Sequence, residues 1–188
     1  MKIEKVTVFG AGKFGARLAF HIAYQNVDVT VYDQDYGLLE EARTRFREFA
    51  DYYEQNFEAS KENVEAALAN IAYSMDITEA AGNAHLIIEA VAEDLAAKKN
   101  FYRELQKTAP KNGIFVTTSK GLDPEILARI SGRPNKFLTL HFTGNLKEIL
   151  SIEVISLPNT RKDVLNSVVQ FSEDIGMEVH VRHLEQQD

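Results

Sequence analysis

The sequence predicts an α/β fold: a doubly wound, mostly parallel sheet with a projecting helical hairpin. Three observations predict it. Short β-branched runs alternate with stretches of helical period along most of the chain, the order that parallel strands with crossover helices produce. The first such run breaks on a glycine-rich turn that opens directly into a helical pattern. Finally, the stretch from Leu38 to Asn70 holds neither Gly nor Pro and is longer than one crossover requires.

The elements follow in order. Lys5 to Phe9 reads as a strand, and the apolar positions Leu18, Ala19, Ile22 and Ala23 mark a helix that Asn26 closes. Val27 to Tyr32 is a second strand ending at Asp33, which completes a βαβ unit of about thirty residues. The spacing predicts a helix over Leu38 to Phe57 and another over Lys61 to Ala69 with Ser60 as cap. Their aromatics, Phe46, Phe49, Tyr52, Tyr53 and Phe57, are expected to pack between the two helices. Strands are then expected at Ile71 to Ser74, Leu86 to Val91, Gly113 to Thr117, Lys136 to His141, Ser151 to Ile155 and Glu178 to Val181. Helices between them are expected at Ile77 to Ala81, Leu95 to Lys107, Asp123 to Ile130 and Arg161 to Ile175.

Composition narrows the function classes. The 188 residues are 45% hydrophobic and contain no run of about 18 apolar residues, so no membrane span is expected. A formal charge of -7 repels nucleic acid and anionic membranes, and neither is expected as a partner. With no Cys there is no disulfide framework or thiolate metal site, and no His, Asp and Glu grouping has metal-ligand spacing, so no metal is expected. The start, Met1-Lys2-Ile3-Glu4-Lys5, runs straight into a strand without a secretory segment, and a cytoplasmic location is the expectation.

Gly10-Ala11-Gly12-Lys13-Phe14-Gly15 fits a dinucleotide fingerprint. The first Gly permits the tight turn, the second lets a pyrophosphate approach the backbone, and the third lets helix and strand pack closely. The helix N-terminus offers N–H groups and positive dipole to the phosphates. Asp33, eighteen positions beyond Gly15, ends the next strand, where a carboxylate can bind both ribose hydroxyls and repel a 2′-phosphate. A Rossmann-type domain with NAD as cofactor is therefore expected.

Ligands of such sheets lie beyond the carboxyl ends of the strands, and one of those ends carries His141. An imidazole there can take a substrate hydroxyl proton while hydride leaves the adjoining carbon. Glu153 in the next strand, between Ile152 and Val154, is the candidate that orients it. His21, His85, His180 and His183 are read as surface or packing, the last two in a polar tail.

These residues resemble the NAD-binding domain of the L-3-hydroxyacyl-CoA dehydrogenase family. The resemblance runs from about Val6 to Val181. It rests on Val8-Phe9-Gly10-Ala11-Gly12-Lys13-Phe14-Gly15, on Ile87-Ile88-Glu89-Ala90-Val91-Ala92-Glu93-Asp94-Leu95 with Lys98, on Leu140-His141-Phe142, and on Ile152-Glu153-Val154-Ile155. It implies His141 as base, Glu153 as its orienter, Glu93 and Lys98 near the nicotinamide half of the cofactor, and a hairpin over 38–69 that helps hold coenzyme A. Three departures stand out. Phe142-Thr143-Gly144-Asn145 replaces the usual Phe-Phe-Asn-Pro, and Thr118-Ser119-Lys120-Gly121 replaces Asn-Thr-Ser-Ser. Ser119 keeps a cofactor-side position in that loop, while Lys120 stands where a Ser hydroxyl would meet substrate and can bind a carbonyl or carboxylate oxygen. The third is that residues 1–188 form one dinucleotide-binding domain, without the helical C-terminal domain that closes the family's cleft and makes its dimer interface.

The first functional expectation is NAD-dependent interconversion of 3-hydroxyacyl-CoA and 3-oxoacyl-CoA in fatty acid metabolism, by a homodimer. The alternatives are dehydrogenation of a free 3-hydroxy acid such as a sugar acid, with Lys120 pairing the carboxylate, and a catalytically weak NAD(H)-binding module.

Overall fold

A computed structural model describes residues 1–143 and 151–185 of the chain. Strand and helix alternate as β1 (Lys5–Phe9), α1 (Lys13–Tyr24), β2 (Asp28–Tyr32), α2 (Tyr36–Asn56), α3 (Lys61–Ala69), β3 (Ile71–Ser74), α4 (Ile77–Ala81) and β4 (Leu86–Glu89). They continue as α5 (Leu95–Thr108), β5 (Ile114–Thr117), α6 (Pro124–Ile130), β6 (Phe137–Thr143), β7 (Ser151–Ser156), α7 (Lys162–Asp174) and β8 (Glu178–His183). The strands form one sheet in the order β3-β2-β1-β4-β5-β6-β7-β8, parallel throughout except for the antiparallel pair β6 and β7. The order reverses between β1 and β4, and a doubly wound sheet opens its ligand crevice at such a point.

Period-two alternation sends successive strand residues to opposite helical layers. Val6, Val8, Leu86, Ile88, Val116, Leu138 and Leu140 join the core under α1, α2, α3 and α7. Phe9, Ile87, Phe115 and Phe137 join the core under α4, α5 and α6. Every residue of β4 and β5 is buried, as expected of central parallel strands covered on both faces. No helix among the described residues is long and apolar enough to cross a membrane.

Side-chain caps set most helix starts. Asp35, Ser60, Asp76, Asp94 and Asp123 each accept a bond from a backbone N–H of the first turn. The Asp35 cap starts α2 at Tyr36, two residues ahead of expectation. The aromatic stripe of α2 faces α1 rather than α3: Phe20 lies 6.4 Å from Phe46, 5.9 Å from Phe49 and 5.2 Å from Tyr53, ring centre to ring centre. Arg17 of α1 adds its guanidinium over Phe49 and Tyr53 at 4.9 and 5.1 Å, whereas α3 buries only Val64 and Ala67. The larger apolar surface takes the rings. At the other end of the chain, β8 continues to His183, so His180 and His183 belong to a paired strand and not to a tail.

Candidate active site

The turn after β1 is shaped by backbone contact. Gly10 has φ +112°, and a Cβ there would sit 2.4 Å from the Ala90 carbonyl oxygen. A Cβ on Gly15 would lie 1.9 Å from the Gly10 carbonyl oxygen, so the first turn of α1 packs onto the loop as only glycine permits. At Gly12 an added Cβ would meet nothing within 4 Å. Gly12 caps α1 without any side-chain bond, leaving the helix N-terminus to a ligand. Lys13 begins the helix at the surface. Asp33 Oδ2 accepts the Ala11 N–H at 2.9 Å and Oδ1 accepts the Asp35 N–H at 3.1 Å, with lone pairs left for ribose hydroxyls. The open backbone, the bare helix end and this carboxylate fit a dinucleotide.

Parallel register lines up the ends of the central strands, setting Phe9 beside Glu89 and Glu89 beside Thr117. Glu89 is fully buried, and its carboxylate accepts from Lys98 Nζ at 2.5 Å, Thr117 Oγ1 at 2.7 Å, the Val91 N–H at 2.9 Å and the Tyr102 hydroxyl at 3.4 Å. Burial, reinforced by the charge of Glu89, pushes the Tyr102 hydroxyl pKa well above its ordinary range. The ammonium of Lys98 faces this network, not solvent, and reaches Glu93 Oε2 at 3.7 Å.

Glu93 gathers the loop after β5. Its Oε1 accepts from Ser119 Oγ at 2.6 Å, from the Lys120 N–H at 3.0 Å and from the Gly121 N–H at 2.7 Å. Burial alone would raise the Glu93 pKa, but the Ser119 hydroxyl, the Gly121 amide, Lys98 and the Lys120 amide together hold it below the usual glutamate range. Phe14, Glu93, Thr118, Lys120, Gly121 and Phe142 line a cleft of about 390 Å³, with Phe14 and Phe142 in edge contact at 5.2 Å.

Antiparallel register places His141 directly opposite Glu153. Nδ1 of His141 lies 3.5 Å from Glu153 Oε2, and Nε2 lies 3.0 Å from the Ser119 carbonyl oxygen. Both ring nitrogens thus face acceptors. A neutral ring has one N–H and can serve only one of them; the imidazolium serves both. Glu153 is also held by Arg182, whose Nε lies 2.9 Å from Oε1 and Nη2 3.2 Å from Oε2.

The structure therefore gathers Gly10, Gly12, Phe14, Gly15, Asp33, Glu93, Ser119 and Lys120 around one crevice, with His141 joined to it through Ser119. Lys98 lies beneath the crevice, and its route to a ligand runs through Glu93. Gly144 and Asn145 lie outside the described residues. Sequence reasoning named Glu89 only as part of a motif, without a role, and passed over Arg182. A carboxylate closing the apolar run Leu86-Ile87-Ile88 signals a buried charge that needs a partner. The alternation Val179-His180-Val181-Arg182 signals a strand two residues longer than expected.

Fold and crevice together define a Rossmann-type dinucleotide-binding domain. The family described as 3-hydroxyacyl-CoA dehydrogenase, NAD binding domain, matches residues 5–183, and the chain belongs to it; its cofactor is NAD. Human mitochondrial hydroxyacyl-coenzyme A dehydrogenase is 29% identical over 179 residues, which cover 93% of this chain and 57% of that enzyme. The chain thus spans little more than half the length of that curated relative. Among solved structures, a diketoreductase described in terms of dual catalysis of dicarbonyl compounds superposes with a TM-score of 0.91 at 35% identity, over 100% of this chain and 66% of that one. The 3-hydroxybutyryl-CoA dehydrogenase of Escherichia coli shares the fold with a TM-score of 0.91 at 23% identity, over 97% of this chain and 39% of that one.

Proposed function

We propose that the chain carries the NAD site and the proton-transfer pair of an oxidoreductase that interconverts 3-hydroxyacyl-CoA and 3-oxoacyl-CoA. The observation that carries this reading is the His141–Glu153 pair, fixed by strand register and tied to the crevice through Ser119. Bound NAD supplies the acceptor for hydride leaving C3 of the substrate. His141 Nε2 takes the hydroxyl proton as the C–O bond becomes a carbonyl, and Glu153 stabilises the imidazolium through Nδ1–H. To act as base, Nε2 must be bare, so the Ser119 carbonyl releases it as the substrate hydroxyl takes that place. In the reverse direction the imidazolium, with Nε2–H directed at the cleft, is the proton donor. A cytoplasmic location and a homodimer complete this reading.

A second substrate reading is favoured by Lys120, whose residue lines the cleft with Phe14 and Phe142, and by the likeness to the diketoreductase. An ammonium beside apolar walls suits a free 3-hydroxy acid or a dicarbonyl compound, whose oxygens it can pair directly.

The test compares NADH oxidation with acetoacetyl-CoA and with a free 3-oxo acid, in the native chain and in His141→Ala. The expected result is turnover with acetoacetyl-CoA that falls about 100-fold or more in the variant while NADH binding is retained. Preference for the free acid selects the second reading. Turnover indifferent to His141, or NADH binding without turnover on either substrate, overturns the assignment in favour of a binding module.

A further inference from the structure

Among the described residues Glu153 has two partners, His141 and Arg182, and proton transfer at His141 accounts for only one. The Arg182 guanidinium meets the carboxylate side-on, Nε to Oε1 at 2.9 Å and Nη2 to Oε2 at 3.2 Å, while His141 Nδ1 stands farther off, 3.5 Å from the same Oε2. A two-point fork of this kind fixes both the position and the rotation of a carboxylate. We propose that Arg182 is a positioning residue: it holds Glu153 in its fork, limits how closely the carboxylate engages His141, and so sets how readily the imidazole takes and gives up its proton. The proposal rests on the His141–Glu153 reading above.

Topology puts Arg182 there. In the parallel pair β7 and β8, Glu153 is in register with His180, and Arg182 stands two residues further on the same face. His180 is turned to Glu178, 3.4 Å from its Oε1. Among the described residues, the groups facing His141 are therefore Glu153 from β7, with Arg182 behind it on β8, and the Ser119 carbonyl from the loop after β5, with Glu93 behind Ser119 Oγ and Lys120 next in that loop. A carboxylate already paired with a guanidinium stabilises a neighbouring imidazolium less than a free one does. Without Arg182, Glu153 presents its full charge and can turn onto Nδ1. His141 then holds its proton to higher pH. Reduction, which needs the imidazolium, persists further into the alkaline range, and the acid limb of oxidation moves up by the same interval.

The test follows the His141 ring proton by NMR titration, assigned by its loss in His141→Ala. It uses the native chain, Arg182→Gln, Arg182→Lys, Glu153→Gln and the double variant Arg182→Gln/Glu153→Gln, with pH–rate profiles beside it. The expected result is a His141 midpoint raised by about half a pH unit in Arg182→Gln, and by less in Arg182→Lys, which keeps the charge without the fork. In the Glu153→Gln background, replacing Arg182 should raise the midpoint by clearly less, because only the direct effect of the lost charge remains. A midpoint that ignores Arg182, or that moves equally with and without the Glu153 carboxylate, overturns the proposal. Because NMR reads His141 whether or not the chain turns over, failure of the proposed reaction shows separately, as flat rate profiles beside an intact titration. Arg182→Lys also serves should Arg182→Gln fail to fold.

Discussion

The two ends of the crevice are built differently. At the β1–β4 end the polar groups are sealed in: the Glu89 side chain is 0% exposed, that of Lys98 1%, and the Glu89 carboxylate is met by four donors. At the β6–β8 end the side chains of His141, Glu153 and Arg182 are 27%, 31% and 49% exposed. Their contacts are open to water, and those of the His141 ring are long, 3.0 and 3.5 Å. A buried, saturated network is costly to disturb, so it holds the glycine turn and strand ends in shape before any cofactor arrives. A part-exposed group can exchange a protein partner for water or a ligand cheaply, which the proton transfer proposed for His141 requires. On the function proposed above, the β1–β4 end is scaffold and the other end is the working part.

The sharpest way to break this contrast is Lys98→Met, which leaves the Glu89 carboxylate buried without its cation. The expected loss is about 3–5 kcal/mol of stability, read from chemical denaturation. A loss below about 1 kcal/mol would mean that water reaches Glu89 and that the two ends are alike. Next in size is Gly15→Ala. Its Cβ would meet the Gly10 carbonyl oxygen at 1.9 Å, so α1 must retreat from the loop, at a cost of about 1–3 kcal/mol and with weakened NADH binding.

His141→Ala is the counterpart at the open end. Removing a half-exposed ring whose two contacts are at 3.0 and 3.5 Å should change stability by about 1 kcal/mol or less, in the same denaturation assay that registers Lys98→Met. Stability and turnover would then separate between the two ends. A loss as large as that of Lys98→Met would make His141 part of the scaffold.

Much of the cofactor end was legible in the sequence because its signals are local. Gly10, Gly12 and Gly15 lie within one turn, and Asp33 ends the next strand of the same βαβ unit. The His141–Glu153 pair was legible because adjacent strands, twelve residues apart, bring their side chains to one face. What stayed hidden depends on long-range pairing. Glu89 has Lys98 and Tyr102 one helix away but Thr117 on another strand, and only parallel register brings these together. Arg182 reaches Glu153 from a strand that the apolar pattern stopped at Val181, because β8 is an edge strand with little burial to mark it. The α2 aromatics went to α1 for the same reason: periodicity shows which face is apolar, not which neighbour covers it.

Glu93 joins the two ends and gives the smallest and most discriminating effect. One side of its carboxylate looks down to Lys98; the other holds Ser119, Lys120 and Gly121, and Ser119 in turn meets His141. Its pKa in the folded protein is depressed below 4.5, so the unfolded chain binds this proton more readily than the native one. Its contribution to stability is accordingly full above 4.5 and is lost as pH falls through the depressed folded value. The neutral acid accepts these three bonds more weakly than the carboxylate does, and the loop loosens while the Glu89 network beneath stays closed. The Gly121 amide resonance, followed by NMR from pH 6 downward, should therefore move with a midpoint below the usual glutamate range. The Val91 amide, bonded to Glu89, should hold its position through the same interval. If both amides moved together, Glu93 would belong to the scaffold and the boundary between the two ends would lie beyond Ser119.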